Sequence, residues 1–97
     1  MNTQNILNAL RNPSLVFSLI PEEYDVYYCV LDIYQKVWEY KNEKKYKDEE
    51  IEFSYRFNLP DWLLLFDVLN EFGDLKINPD DELRGSVVWI SINKKEV

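Results

Sequence analysis

The chain has 97 residues, with 11 Lys and Arg against 18 Asp and Glu, a formal charge of −7, no histidine, one cysteine and two glycines. Without histidine there is no Ser-His-Asp or Cys-His catalysis, no imidazole base, and few of the usual zinc ligand sets. The lone Cys29 forms no intrachain disulfide, Gly73 and Gly85 are too few for a phosphate-cradling loop, and the acidic field repels nucleic acid and anionic membranes while favouring basic partners.

One domain, residues 1–97, is expected at this length. Seven Tyr, five Phe and three Trp, with scarce Gly and Pro, argue against disorder and against a loop-rich fold. The single cysteine sets a reducing, cytoplasmic compartment as the expectation. No N-terminal segment has the form of a signal peptide, and the apolar runs are too short to span a bilayer.

Thr3–Arg11 reads as a short helix, with Thr3 as N-cap and Ile6, Leu7 and Leu10 as its apolar stripe. Ser14–Ile20 fits a buried strand or a short helix. Asn12 followed by Pro13 favours the helix, because it resembles a cap followed by a first-turn proline. Pro21 then opens a long helix, about 21–45, with Glu22 and Glu23 at the positive end of its dipole. Asp25, Asp32, Lys36, Glu39 and Glu43 fall in one stripe roughly 60° wide at 100° per residue. Lys41–Glu50 is a solvated helix end and loop.

Ile51, Phe53, Tyr55 and Phe57 alternate with Glu52, Ser54, Arg56 and Asn58, which marks a strand, about 51–58, with one wet face. A second main helix follows, about 60–73, with Pro60 in its first turn and Gly73 as C-cap. Its apolar sector exceeds what two strands hide, so it is expected between the sheet and the Tyr-rich helix. Leu63 falls in its thin acidic edge. Asp74–Asn78 reads as an extended link and Asn78–Glu82 as a cap with one acidic turn. The second strand is about 86–93, with Val88, Ile90 and Ile92 facing in and Trp89 out. The fold class is α+β: two main helices on a short antiparallel sheet, with a third strand drawn from Ser14–Ile20, Asp74–Asn78 or another protomer.

Between Asp48 and Glu82 stand eleven carboxylates against two cations, Arg56 and Lys76. Such a surface docks on a basic protein, with carboxylates imitating phosphates; the plainer alternative is a set of solvated faces. The partner-binding candidates are Asp48, Glu49, Glu50, Asp67, Glu71, Asp74, Asp80, Asp81 and Glu82, joined by Tyr24 and Tyr28. Tyrosine couples an apolar body to a polar tip and is enriched at interfaces. Asp74–Gly85 fails as a calcium loop, because Lys76 occupies a ligand position and no glutamate stands at the twelfth. Cys29 sits near Asp25 and Asp32, which oppose thiolate formation, and reads as structural. The basic cluster Lys41–Lys47 is explained by the helix end.

The Lys-, Asn-, Tyr- and Ile-rich usage resembles AT-rich bacterial, phage or archaeal-virus proteins. Small acidic phage antagonists of host defence and bacterial immunity proteins have the same general look, although no motif carries the likeness and no family is recognised. The expectation is therefore a non-catalytic acidic module without metal or cofactor, an inhibitor that docks on a basic, nucleic-acid-handling protein. It is not expected to bind nucleic acid itself or to enter a membrane. The alternative is an assembly protein that forms a homodimer through its aromatic-rich helices.

Overall fold

Alternation of apolar and polar side chains shapes the first strand as expected. In β1 (Glu50–Arg56), Ile51, Phe53 and Tyr55 are buried, and the residues between them are exposed. The computed structural model describes residues 3–43, 50–59, 61–73, 75–83 and 86–93. Their order is α1 (Thr3–Arg11), a 3-10 helix (Pro13–Ser18), α2 (Pro21–Asn42), β1, α3 (Trp62–Phe72), β2 (Lys76–Pro79) and β3 (Val87–Asn93). The strands form one antiparallel sheet in the order β1-β3-β2. The fold is α+β, with four helical elements packed on three strands.

Register places the core. Phe53 lies opposite Ile90, which lies opposite Ile77, and Tyr55 lies opposite Val88. These side chains face the helices. Ser54, Trp89 and Asn78 form the matching row on the outer face. The link expected at Asp74–Asn78 is thus the source of the third strand, which starts at Lys76 and includes Pro79 at the sheet edge, where proline is tolerated.

Both main helices touch the sheet, which corrects the expected sandwich. Tyr40 of α2 stacks on Phe53 at 4.9 Å, Phe66 of α3 meets Phe57 edge-on at 6.0 Å, and Tyr34 meets Phe72 between the two helices at 5.2 Å. The molecule is 18 Å across its thinnest direction, which leaves room for one helix layer on one sheet. α3 therefore lies beside α2 rather than beneath it. Among the described residues, one face of α2 consequently has no layer above it.

Helix ends follow local chemistry and shift some expected boundaries. α3 begins at Trp62 rather than in a turn around residue 60, because the Asp61 carboxylate accepts the Leu64 N–H at 3.2 Å. Pro60 lies outside the described residues. Gly73 closes α3 at φ 96°, a left-handed conformation suited to glycine, and donates its N–H to Leu69 at 3.1 Å. α2 stops at Asn42, three residues short of the expected end, with Glu43 already extended. Asn12 caps the 3-10 helix by accepting from the Ser14 N–H and hydroxyl. This resolves Ser14–Ser18 as helical rather than strand, with Leu19 and Ile20 extended before α2.

At the start of α2, Glu23 is 2 % exposed. One carboxylate oxygen accepts the Ile20 N–H at 3.1 Å and the other accepts from the Asn5 amide at 3.2 Å. The carboxylate thus caps α2 and ties α1 to it.

Candidate functional site

The uncovered side of α2 carries four of the large apolar side chains exposed among the described residues. Val26, Tyr27, Val30, Ile33 and Val37 are buried against the core. On the far side, Tyr24, Tyr28, Leu31 and Trp38 are 47 %, 60 %, 45 % and 61 % exposed. Together with Gln35 they recur at spacings of four, three, four and three residues, so they line one straight seam along the helix. From Tyr24 to Trp38 the seam runs about 21 Å at 1.5 Å per residue.

The 3-10 helix lengthens the seam. No residue of that element is buried, and Phe17 is 93 % exposed. Ile20 is exposed beside it. Val16 is half-buried against the core, whereas Phe17 stands in water at nearly full hydrophobic cost. Two shallow depressions meet at Tyr24. One is lined by Val16, Phe17, Leu19, Pro21 and Asp25, the other by Tyr28, Cys29, Asn58 and Leu59.

Carboxylates border one flank only. Asp25, Asp32 and Glu39 follow one another at seven-residue intervals, and the last faces Gln35, whose amide it accepts at 3.3 Å. Lys36 approaches Asp32 at 4.0 Å and offsets part of that row. The opposite flank carries Tyr27, Tyr34 and Lys41, which are buried or half-buried.

Beneath the acidic flank, Cys29 and Tyr55 meet. Burial pushes the Cys29 thiol up, the hydrogen bond with Tyr55 opposes this, and Asp32 and Asp25 push it further up. The Tyr55 phenol is raised by burial first and then by the Asp32 carboxylate beside it. Both shifts oppose ionisation near neutrality.

The sequence-predicted acids are spread over separate elements. Glu50 opens β1 opposite Asn93, and Asp67 and Glu71 project from the exposed side of α3 next to the exposed Leu63. Asp81 and Glu82 are exposed in the β2–β3 connection. Asp80 in the same connection is committed to the fold itself. Its carboxylate accepts the Trp89 indole N–H and the Leu83 and Glu82 N–H groups, each at 3.0 Å. The cap expected at Asn78 is therefore Asp80, two residues later. Those donors, led by Trp89, hold its carboxyl below the ordinary value of 3.8. Asp48, Glu49 and Asp74 lie outside the described residues.

Tyr24 and Tyr28 are the predicted residues that the structure assembles, on one face with Asp25 on its flank. Phe17, Ile20, Leu31 and Trp38 belong to that face and were not among the residues singled out from the sequence. The four-three spacing was the signal available for them.

Among the described residues, no three His, Cys, Asp or Glu side chains converge as a metal-binding group, and no helix is long and apolar enough to cross a membrane. No family model matches this chain, and neither curated proteins nor solved structures give a match.

Proposed function

We propose that this protein is a non-catalytic binding module that docks on a basic protein through the open face of α2. The observation that carries this reading is the seam of Tyr24, Tyr28, Leu31 and Trp38, exposed along a helix whose other side is core, with Asp25 and Glu39 on its flank. Aromatic side chains in such a position supply binding energy, and the carboxylates steer and orient a cationic partner. The surfaces of nucleic-acid-handling proteins have that chemistry, and occupying one blocks its normal ligand. Inhibition by occlusion is therefore the mode of action proposed.

The test is capture from cells of the source, compared between wild type and two kinds of variant. Trp38→Ala and Leu31→Asp remove apolar contact, and Asp25→Lys with Glu39→Lys reverses the flank. The expected partner is basic, binds wild type, is weakened by salt, and is lost from both kinds of variant. Truncating a large exposed aromatic such as Trp38 in such a contact costs about 2 kcal/mol, roughly a thirtyfold loss of affinity. Identical capture by wild type and all variants refutes the reading.

A further inference from the structure

We propose that a second copy of this chain pairs antiparallel along the free edge of β1, joining two sheets into one of six strands. β1 borders only β3 among the described strands. Its ladder is continuous from Glu50 opposite Asn93 to Arg56 opposite Val87, with no bulge. Phe57 donates its N–H to Ser86 at 2.8 Å, which fixes the side to which each residue points. Odd-numbered residues direct their backbone groups to β3. Glu50, Glu52, Ser54 and Arg56 direct their N–H and C=O groups to the open edge.

Edge strands are ordinarily defended by proline, by charged side chains and lysine above all, by a bulge, by short length or by a covering element; the charges of β1, Glu50, Glu52 and Arg56, are of both signs. β1 has seven residues and contains neither proline nor lysine. Alongside it, a hollow of about 250 Å³ opens between the strand and the C-terminal half of α2, lined by Lys36, Glu39, Tyr40, Glu43, Phe53 and Ser54. The helix borders the edge and leaves space beside it.

The side chains say what fills that space. Glu52 and Arg56 stand two residues either side of Ser54 on the exposed face of the strand. An antiparallel pairing centred on Ser54 sets Glu52 against the partner's Arg56, and Arg56 against the partner's Glu52. The same register sets Phe53 against the partner's Tyr55, and Ile51 against the partner's Phe57, on the inner face. A strand whose charges have opposite sign and equal distance from its centre is complementary to itself, as an isologous interface requires. Registers centred on Glu52 or Arg56 oppose like charges instead. Side-chain period fixes the choice in steps of two residues, because a shift by one turns the inner face outward. The pairing satisfies about six backbone hydrogen bonds that the isolated edge leaves to water.

Sedimentation equilibrium at tens of micromolar tests the proposal with full-length protein. Wild type is dimeric. Glu52→Arg and Arg56→Glu each turn two attractive cross-strand pairs into repulsive ones and weaken association about tenfold or more. The combined Glu52→Arg, Arg56→Glu protein recovers it. Ser54→Pro removes an N–H that faces only the edge, so it leaves the monomer fold intact by circular dichroism and abolishes the dimer. A monomeric wild type overturns the proposal. So does a dimer indifferent to Glu52→Arg, or one that the double exchange fails to restore. Docking through α2 is scored separately, because none of these substitutions touches Tyr24, Tyr28, Leu31 or Trp38.

Discussion

Replacing Glu23 with alanine removes an acceptor from two donors at once. The Ile20 N–H, at 3.1 Å, and the Asn5 amide, at 3.2 Å, lose their oxygen in a site where Glu23 is 2 % exposed. A partly buried donor left unsatisfied costs about 1–3 kcal/mol, and loss of a helix cap about 0.5–2 kcal/mol. These overlap at Ile20, so the total is about 3 kcal/mol. That is a large share of the roughly 5–15 kcal/mol typical of a whole domain. In a thermal melt it corresponds to about 12–24 °C. Glu23→Gln keeps an oxygen for Ile20, and Asn5 can turn its own amide to match, so this change costs about 1 kcal/mol. Urea unfolding of the two variants, with Asn5→Ala to complete a double-mutant cycle, measures both quantities. An alanine cost under about 1 kcal/mol, or a glutamine cost equal to that of alanine, refutes the role of the carboxylate as acceptor for both donors.

Three further outcomes follow from particular contacts. The Asp80 carboxyl is held below its ordinary value of 3.8, so its stabilisation is present above that value and lost as pH falls beneath it. Asp80→Ala should therefore be destabilising in urea at neutral pH and close to neutral in the acid limb; an equal effect at both would refute the assignment. The Cys29 thiol is raised from 9.0, chiefly by burial, so iodoacetamide at mildly alkaline pH should label the folded chain far more slowly than the urea-unfolded chain. Labelling at equal rates would show the thiol open to solvent. At Gly73, φ is 96° and an added Cβ meets nothing closer than the Glu71 carbonyl at 3.6 Å, so strain rather than collision sets the cost. Gly73→Ala should lose about 1 kcal/mol in urea unfolding and Gly73→Asn less, whereas equal losses would point to a clash.

Much of the architecture was legible where periodicity and packing agree. β1 alternates because one sheet face is wet, and the apolar run of α3 has to be buried. Local pattern was weaker where tertiary contact decides. Lys76–Pro79 is a strand because β3 offers it an edge, and four residues with a proline carry little period of their own. Glu23 looked like an acid placed for the helix dipole. It is instead buried and accepts from Asn5, eighteen residues earlier, a contact that only the tertiary fold supplies. The open face of α2 was legible only in part, at Tyr24 and Tyr28, for a related reason. Leu31 and Trp38 have the same chemistry as Ile33 and Val37, and only the position of α3 beside α2 leaves one pair in water. The acidic count was visible from composition, but Asp80 shows that a carboxylate in that count can be committed to its own fold.

The three tryptophans sit on three different parts of this architecture. Trp38 is in water on the open face of α2, Trp62 packs edge-on against Phe66 at 5.3 Å, and Trp89 lies on the outer sheet face in register with Ser54. Each surface thus contains its own fluorophore. A protein covering α2 should shift the red emission of Trp38 towards the blue, and a strand added beside Ser54 should alter Trp89 from one strand away. Phenylalanine replacements that leave one indole at a time would let the unlabelled chain report which of its surfaces is engaged, and in what order.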